Sequence, residues 1–159
     1  MSVLARLALP CLIVTACSEQ PADVSKPGFG EQDFVEKEVA TLEKALAAKD
    51  EIKISTGCIG ITGKGLARMP EVLQRKIERL CYVEVPRVLL ELAIADATKA
   101  RAEHADLPES LVCAQLLVSD AFKAMAKAPV ADPGVKKLAD DYEKLCPEAV
   151  AKIRMRERR

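Results

Sequence analysis

The sequence predicts an all-α protein: an antiparallel bundle of four to five helices stapled by two disulfides. Three observations point there. From residue 33 onward, apolar side chains recur at three- and four-residue spacing. Prolines and capping residues cut that pattern into segments of helix length. Four cysteines lie well apart along the same stretch.

The first helix is expected over 33–49, with Val35, Val39, Leu42 and Leu46 as its apolar stripe. Residues 50–69 interrupt the pattern with Gly57, Gly60, Gly63 and Gly65, and read as an irregular loop; Ile52 and Ile54 alternate with polar residues there and allow a short extended piece. A second helix starts near Pro70 and places Leu73, Ile77, Leu80 and Cys81 on one face. Pro86 should kink or break it near Glu84–Val85, because proline has no N–H and its ring clashes with the preceding turn. The pattern resumes with Val88, Leu89, Leu92 and Ala95 to about Glu103, and 89–94 is apolar on more than one side, as a central helix would be. The third helix opens on Asp106-Leu107-Pro108-Glu109, which has the form of a capping box. It carries Val112, Leu116, Phe122 and Met125 as its stripe, with Leu111, Cys113 and Val118 beside it, and ends near Lys127. A fourth begins at Asp132-Pro133 with Val135, Leu138, Tyr142 and Leu145 facing inward. A short last helix is expected over 148–158.

Residues 1–17 read MSVLARLALPCLIVTAC. One cation, Arg6, precedes an uncharged run over 7–17, too short for the roughly 20 residues a spanning helix needs. That is the pattern of a secretory signal. Its end, Val14-Thr15-Ala16-Cys17, resembles the lipobox of bacterial lipoproteins. The resemblance implies cleavage before Cys17, lipidation of that cysteine and retention at a membrane. Ser18 in the next position goes, in that family, with the outer membrane facing the periplasm. The expected organisation is a signal peptide over 1–16, a lipidated flexible tether over 17–32 and one helical domain over 33–159. The tether, rich in proline and glycine, would reach on the order of 40 Å if extended.

Charge and composition exclude some functions. The chain has 24 Lys plus Arg and 24 Asp plus Glu; removing residues 1–16 takes away only Arg6, leaving 23 against 24. A near-neutral domain lacks the electrostatic footprint of a nucleic-acid binder. With two tyrosines, three phenylalanines and no tryptophan it also lacks stacking platforms for bases or sugars.

Of six cysteines, Cys11 falls in the signal and Cys17 takes the lipid. The other four, Cys58, Cys81, Cys113 and Cys146, have no close C-x-x-C spacing for zinc and read as two disulfides of an oxidising compartment. Four cysteines allow three connectivities. The helix layout favours one of them. Cys113 lies 16 residues before Pro129 and Cys146 lies 14 after Asp132, so they should sit at similar heights on neighbouring antiparallel helices. Cys58 then pairs with Cys81 and pins the glycine-rich loop to the second helix.

The motifs carry little chemistry. Gly57-Cys58-Ile59-Gly60-Ile61-Thr62-Gly63-Lys64 invites comparison with a phosphate loop, but Cys58 replaces a required glycine and Gly65 replaces the Ser or Thr after the lysine. A pinned surface loop is a better reading, with Gly57, Ile59, Gly60, Ile61, Thr62, Gly63 and Lys64 as possible recognition residues. His104 is the only histidine and sits near a helix end, with no second ligand or nucleophile beside it in sequence. The acidic groups Asp140-Asp141, Glu143, Glu36 and Glu38 read as solvated helix faces. Residues 152–159 hold five cations and one acid, suited to a helix C-terminus or to an anionic partner.

No catalytic residue, cofactor site or metal site is expected. The expectation is a membrane-tethered, non-enzymatic binding lipoprotein with a protein partner, in the form of an immunity or exclusion factor that blocks an envelope-acting protein. In general character it is similar to the small cysteine-containing helical immunity proteins of bacterial toxin systems. A lipoprotein that scaffolds an envelope complex is the alternative, and an unrecognised hydrolase the third.

Overall fold

A computed structural model describes residues 30–62, 65–113 and 115–157. The expected signal sequence, Cys17, all but the last three residues of the expected tether, Gly63 and Lys64 lie outside the described residues. The described residues form helices joined by short turns, with two disulfides and no strand among them.

The first helix, α1 (Glu31–Ala48), starts two residues before the boundary expected at 33, so it takes in Glu31 and Gln32, the last two residues of the expected tether. It begins at Gly30, whose φ of +82° suits a residue without a Cβ. Val35, Val39, Leu42 and Ala45 face inward. Lys49, itself left-handed at φ 53°, closes α1 through its N–H on Ala45 and Leu46 carbonyls. The chain then turns directly into α2 (Glu51–Gly57). This corrects the loop and extended piece expected at 50–57. Asp50 caps the new helix, its Oδ1 accepting the Lys53 N–H at 3.2 Å. Residues two apart, which share a face in a strand, lie about 200° apart on a helix. Ile54 is accordingly fully buried, whereas Ile52 is 78 % exposed. Gly57 has a packing role: a Cβ there would stand 2.7 Å from Leu42 Cδ1. The glycine lets α2 lie tight on α1.

After a 3-10 turn at Leu66–Arg68 comes α3 (Glu71–Arg79), with Leu73 and Ile77 inward. Pro86 does not break the helix. Without a proline N–H, the Tyr82 carbonyl has no α-helical donor. The chain widens instead into one π-turn over Leu80–Glu84, closed by the Val85 N–H on the Leu80 carbonyl, and runs on as α4 (Val85–Glu103). The inserted residue shifts the inward face. Val85, Leu89, Leu90, Ala93 and Ala97 are buried in α4, while Ala95 is exposed. As the 89–94 pattern implied, α4 is central. It packs most extensively on α6 (Gln115–Lys127) and α7 (Pro133–Leu145), and also touches α2 and α5 (Glu109–Val112).

The third predicted helix is two helices. The chain leaves helical geometry at Cys113 (φ −101°, ψ 115°), and the change of direction leaves Leu111 71 % and Leu116 79 % exposed while Val112, Val118 and Ala121 go inward. Asp106 is not its cap. Pro108 stands at the N-terminus of α5, and Glu109 reaches elsewhere: its Oε1 accepts the Ala149 N–H at 2.9 Å, in the first turn of α8 (Pro147–Glu157). Asp132 caps α7 as expected, accepting the Val135 N–H at 2.9 Å. In α7, Val135, Ala139 and Tyr142 are buried, and in α8 Ala149, Val150 and Ile153.

Both expected disulfides are present. Cys58–Cys81 has a Cα–Cα distance of 5.7 Å and Cys113–Cys146 of 6.0 Å. The second pair arises differently from the hairpin argument. α6 and α7 each pack mainly on α4, and Cys113 and Cys146 occupy the α5–α6 and α7–α8 junctions. The bond ties two helix breaks together.

Candidate functional site

The Cys58–Cys81 bond joins the end of α2 to the π-turn and fixes the segment that follows it. Within that segment side chains divide by role. Ile61 is buried against the core at 3 % exposure, so it anchors and does not recognise. Thr62 donates its hydroxyl to the Cys58 carbonyl at 2.8 Å, which closes the turn. Between these fixed points Ile59 is 77 % exposed, and around Gly60 a Cβ would meet nothing within 4 Å. Of the expected recognition residues, then, Ile59 and Gly60 face solvent, Thr62 is half-buried and Gly57 and Ile61 serve packing.

One cleft opens beside this segment, and a second opens across α6 from it. The first, about 290 Å³, lies along Cys58, Ile59, Thr62 and Tyr82, with Asp120, Lys123 and Lys127 of α6 opposite. The second, about 340 Å³, is more apolar and is lined by Tyr82, Phe122, Met125 and Val135, with Asp132 and Lys136 of α7. On α6 the first cleft takes 120, 123, 124 and 127 and the second takes 122, 125 and 126, so the clefts lie on opposite flanks of its last turns. Tyr82 belongs to both. Sequence reasoning missed it. The available signal was Pro86: four residues upstream of a helical proline the carbonyl loses its donor, and the resulting wide turn displaces the side chains it carries.

The carboxylates in these clefts are occupied. Asp120 Oδ1 accepts from Lys123 Nζ at 3.3 Å, and Asp132 accepts the Val135 N–H and faces Arg87 at 3.9 Å. Lys127 and Lys136 have side chains with no hydrogen bond or ion pair among the described residues, and both are exposed.

The other candidate groups are not brought together. His104 is exposed where α4 ends. Asp141 is held ionised by Lys144 Nζ at 2.9 Å, a hydrogen bond that lowers its pKa from the ordinary carboxylate value. Glu143 binds Arg154 bidentately at 2.6 and 2.7 Å, which also uses part of the basic tail in joining α7 to α8. Glu36 accepts from Gln32 at 2.8 Å. Among the described residues no three His, Cys, Asp or Glu side chains are placed to hold a metal ion, and no helix is long and apolar enough to cross a membrane.

Comparison with known protein families, curated proteins and solved structures found no match.

Proposed function

We propose that the chain is a membrane-tethered, non-enzymatic binding lipoprotein of the cell envelope, lipidated at Cys17, that recognises a protein through the Cys58–Cys81 face. The observation that carries this reading is Ile59. A large apolar side chain, 77 % exposed, stands between the disulfide at Cys58 and the buried anchor Ile61, beside a cleft. Exposed apolar groups on pre-ordered loops bind with little ordering cost. The two disulfides agree with an oxidising compartment, and the lipobox with retention at the outer membrane, facing the periplasm. The role these features suit is immunity or exclusion: a pinned domain on a tether that occludes an envelope-acting protein.

The test is deletion of the gene followed by challenge with envelope-acting toxins, phage and conjugation. Deletion should sensitise the cell. Wild type should restore protection, Ile59→Asp should not despite normal abundance and disulfides, and Cys17→Ser should leave the membrane fraction. Unchanged sensitivity in every challenge sinks the reading.

A scaffold role in an envelope complex is the second reading. Its support is the exposure of Leu111, Leu116 and Met155 on α5, α6 and α8. A stable host complex that survives Ile59→Asp and is lost with Leu116→Asp would favour it.

A further inference from the structure

We infer that the two clefts flanking the end of α6 form one docking surface for an acidic protein segment, whose apolar side chains enter the clefts while its carboxylates meet Lys127 and Lys136. This rests on the binding-protein reading above and names the chemistry of the partner.

Three independent observations carry it. First, the second cleft is concave with an apolar floor, where Phe122 and Met125 are half-buried and Val135 is buried, and Tyr82 carries that lining across to the first, more polar cleft. Concave sites lined in this way take convex apolar side chains. A bilayer surface cannot follow such a concavity, which favours a protein occupant over a membrane. Second, the charges left over are all of one sign. Asp120 and Asp132 are already engaged, whereas Lys127 and Lys136 are exposed and have no partner among the described residues. Lys127 also complements the carbonyl end of α6, a weak effect at an exposed position, so its ammonium stays available. Third, Tyr82 is half-buried on a π-turn and its hydroxyl has no hydrogen bond among the described residues. Single π-turns inside helices occur frequently at functional sites, and a tyrosine with an apolar body and a free hydroxyl suits an interface.

An amphipathic helix laid across the end of α6, so that its stripe reaches the cleft on each flank, is the simplest occupant. A stripe at three- and four-residue spacing presents apolar groups at intervals, and acids on its flanks complete the match. Opposite charge at the rim chiefly raises the association rate and sets the choice of partner.

The experiment uses the full-length chain and two synthetic amphipathic peptides of about 16 residues, a length typical of helix-in-groove ligands. One has a Leu/Phe stripe flanked by Glu; the other replaces every Glu by Lys. Binding is read by fluorescence anisotropy at low and physiological salt, and by NMR of the Met125 methyl group. The acidic peptide should bind, more weakly as salt rises, and should shift the Met125 signal. Lys127→Glu/Lys136→Glu should weaken it at least about fivefold, as loss and reversal of two rim pairs implies, and should admit the basic peptide. Both lysines are exposed, so unchanged thermal unfolding of the double variant verifies its fold. Failure of the acidic peptide to bind, indifference to the charge reversal, or binding to anionic phosphatidylglycerol vesicles in place of the peptide each overturns the inference. The function and the inference fail separately. If Lys127→Glu/Lys136→Glu still protects the deletion strain while Ile59→Asp does not, the binding role stands and this docking surface does not.

Discussion

Glu109 and Ala149, 40 residues apart, are joined by one hydrogen bond of 2.9 Å, so the first residue of α5 supplies the cap that α8 lacks in its own sequence. The same carboxylate lies near Tyr142 and adds to the effect of burial on it. Glu109→Ala should therefore destabilise the domain by about 1 kcal/mol, the usual size of a lost N-cap. Chemical denaturation measures this, and hydrogen exchange should show the loss concentrated at the start of α8. Loss spread evenly over all helices would contradict the capping role.

Tyr142 predicts the alkaline limit of stability. It is fully buried, and burial, with a smaller contribution from Glu109, pushes its pKa up to about 12. The unfolded value is near 10. A raised pKa in the folded state means the neutral phenol is favoured there. Its contribution is complete below pH 10 and is lost as pH rises from 10 through 12. Tyrosinate absorbance should rise late for one of the two tyrosines, together with unfolding, and Tyr142→Phe should remove the steep decline over that window. A Tyr142→Phe chain that unfolds along the same alkaline curve would rule the assignment out.

Gly57 and Gly60 should respond in opposite ways. Gly57→Ala puts a Cβ 2.7 Å from Leu42 Cδ1 in packed core and should cost roughly 1–3 kcal/mol, typical of overpacking. Leu42→Val should recover part of that cost in a double-mutant cycle. Gly60→Ala meets nothing within 4 Å and should stay within about 0.5 kcal/mol of wild type. Urea midpoints for wild type and the four variants decide it.

Removing either disulfide as a Ser pair should cost roughly 3–4 kcal/mol, because the bonds close separations of 23 and 33 residues. The functional consequences should differ. Cys58→Ser/Cys81→Ser frees Ile59 and should impair partner binding even under conditions where the helices remain folded. Cys113→Ser/Cys146→Ser should lower stability alone. Equal loss of binding at matched stability would show that the first bond has no special bearing on recognition.

Most of the bundle was legible because caps and stripes act locally. Asp132 before Pro133 named the start of α7, and Leu73, Ile77, Leu80 and Cys81 named one buried face. What stayed hidden depended on context. Ile52 and Ile54 suit a strand face by alternation, and only Asp50 as a cap and the close approach over Gly57 make that segment a helix. Glu109 fits a local capping box, but its bond to a helix far along the chain outcompetes the local one. Leu111 and Leu116 continue a stripe that holds only if the helix is unbroken at Cys113, where the disulfide now sits. The proposed recognition segment was reached through Cys58, yet Tyr82 was not, since a π-turn leaves no mark in hydrophobic periodicity beyond a proline four residues on.

The placement of the two cross-links also fixes how the molecule answers a pull. Tension applied at the two ends cannot lengthen the spans 58–81 and 113–146, because the force passes through sulfur rather than through the peptide chain. At roughly 3.5 Å per residue, about 80 Å and 115 Å of contour length stay hidden. Reductant would release them as two discrete extra extensions in a single-molecule trace, so the compartment's redox state sets the maximum length of the stretched chain.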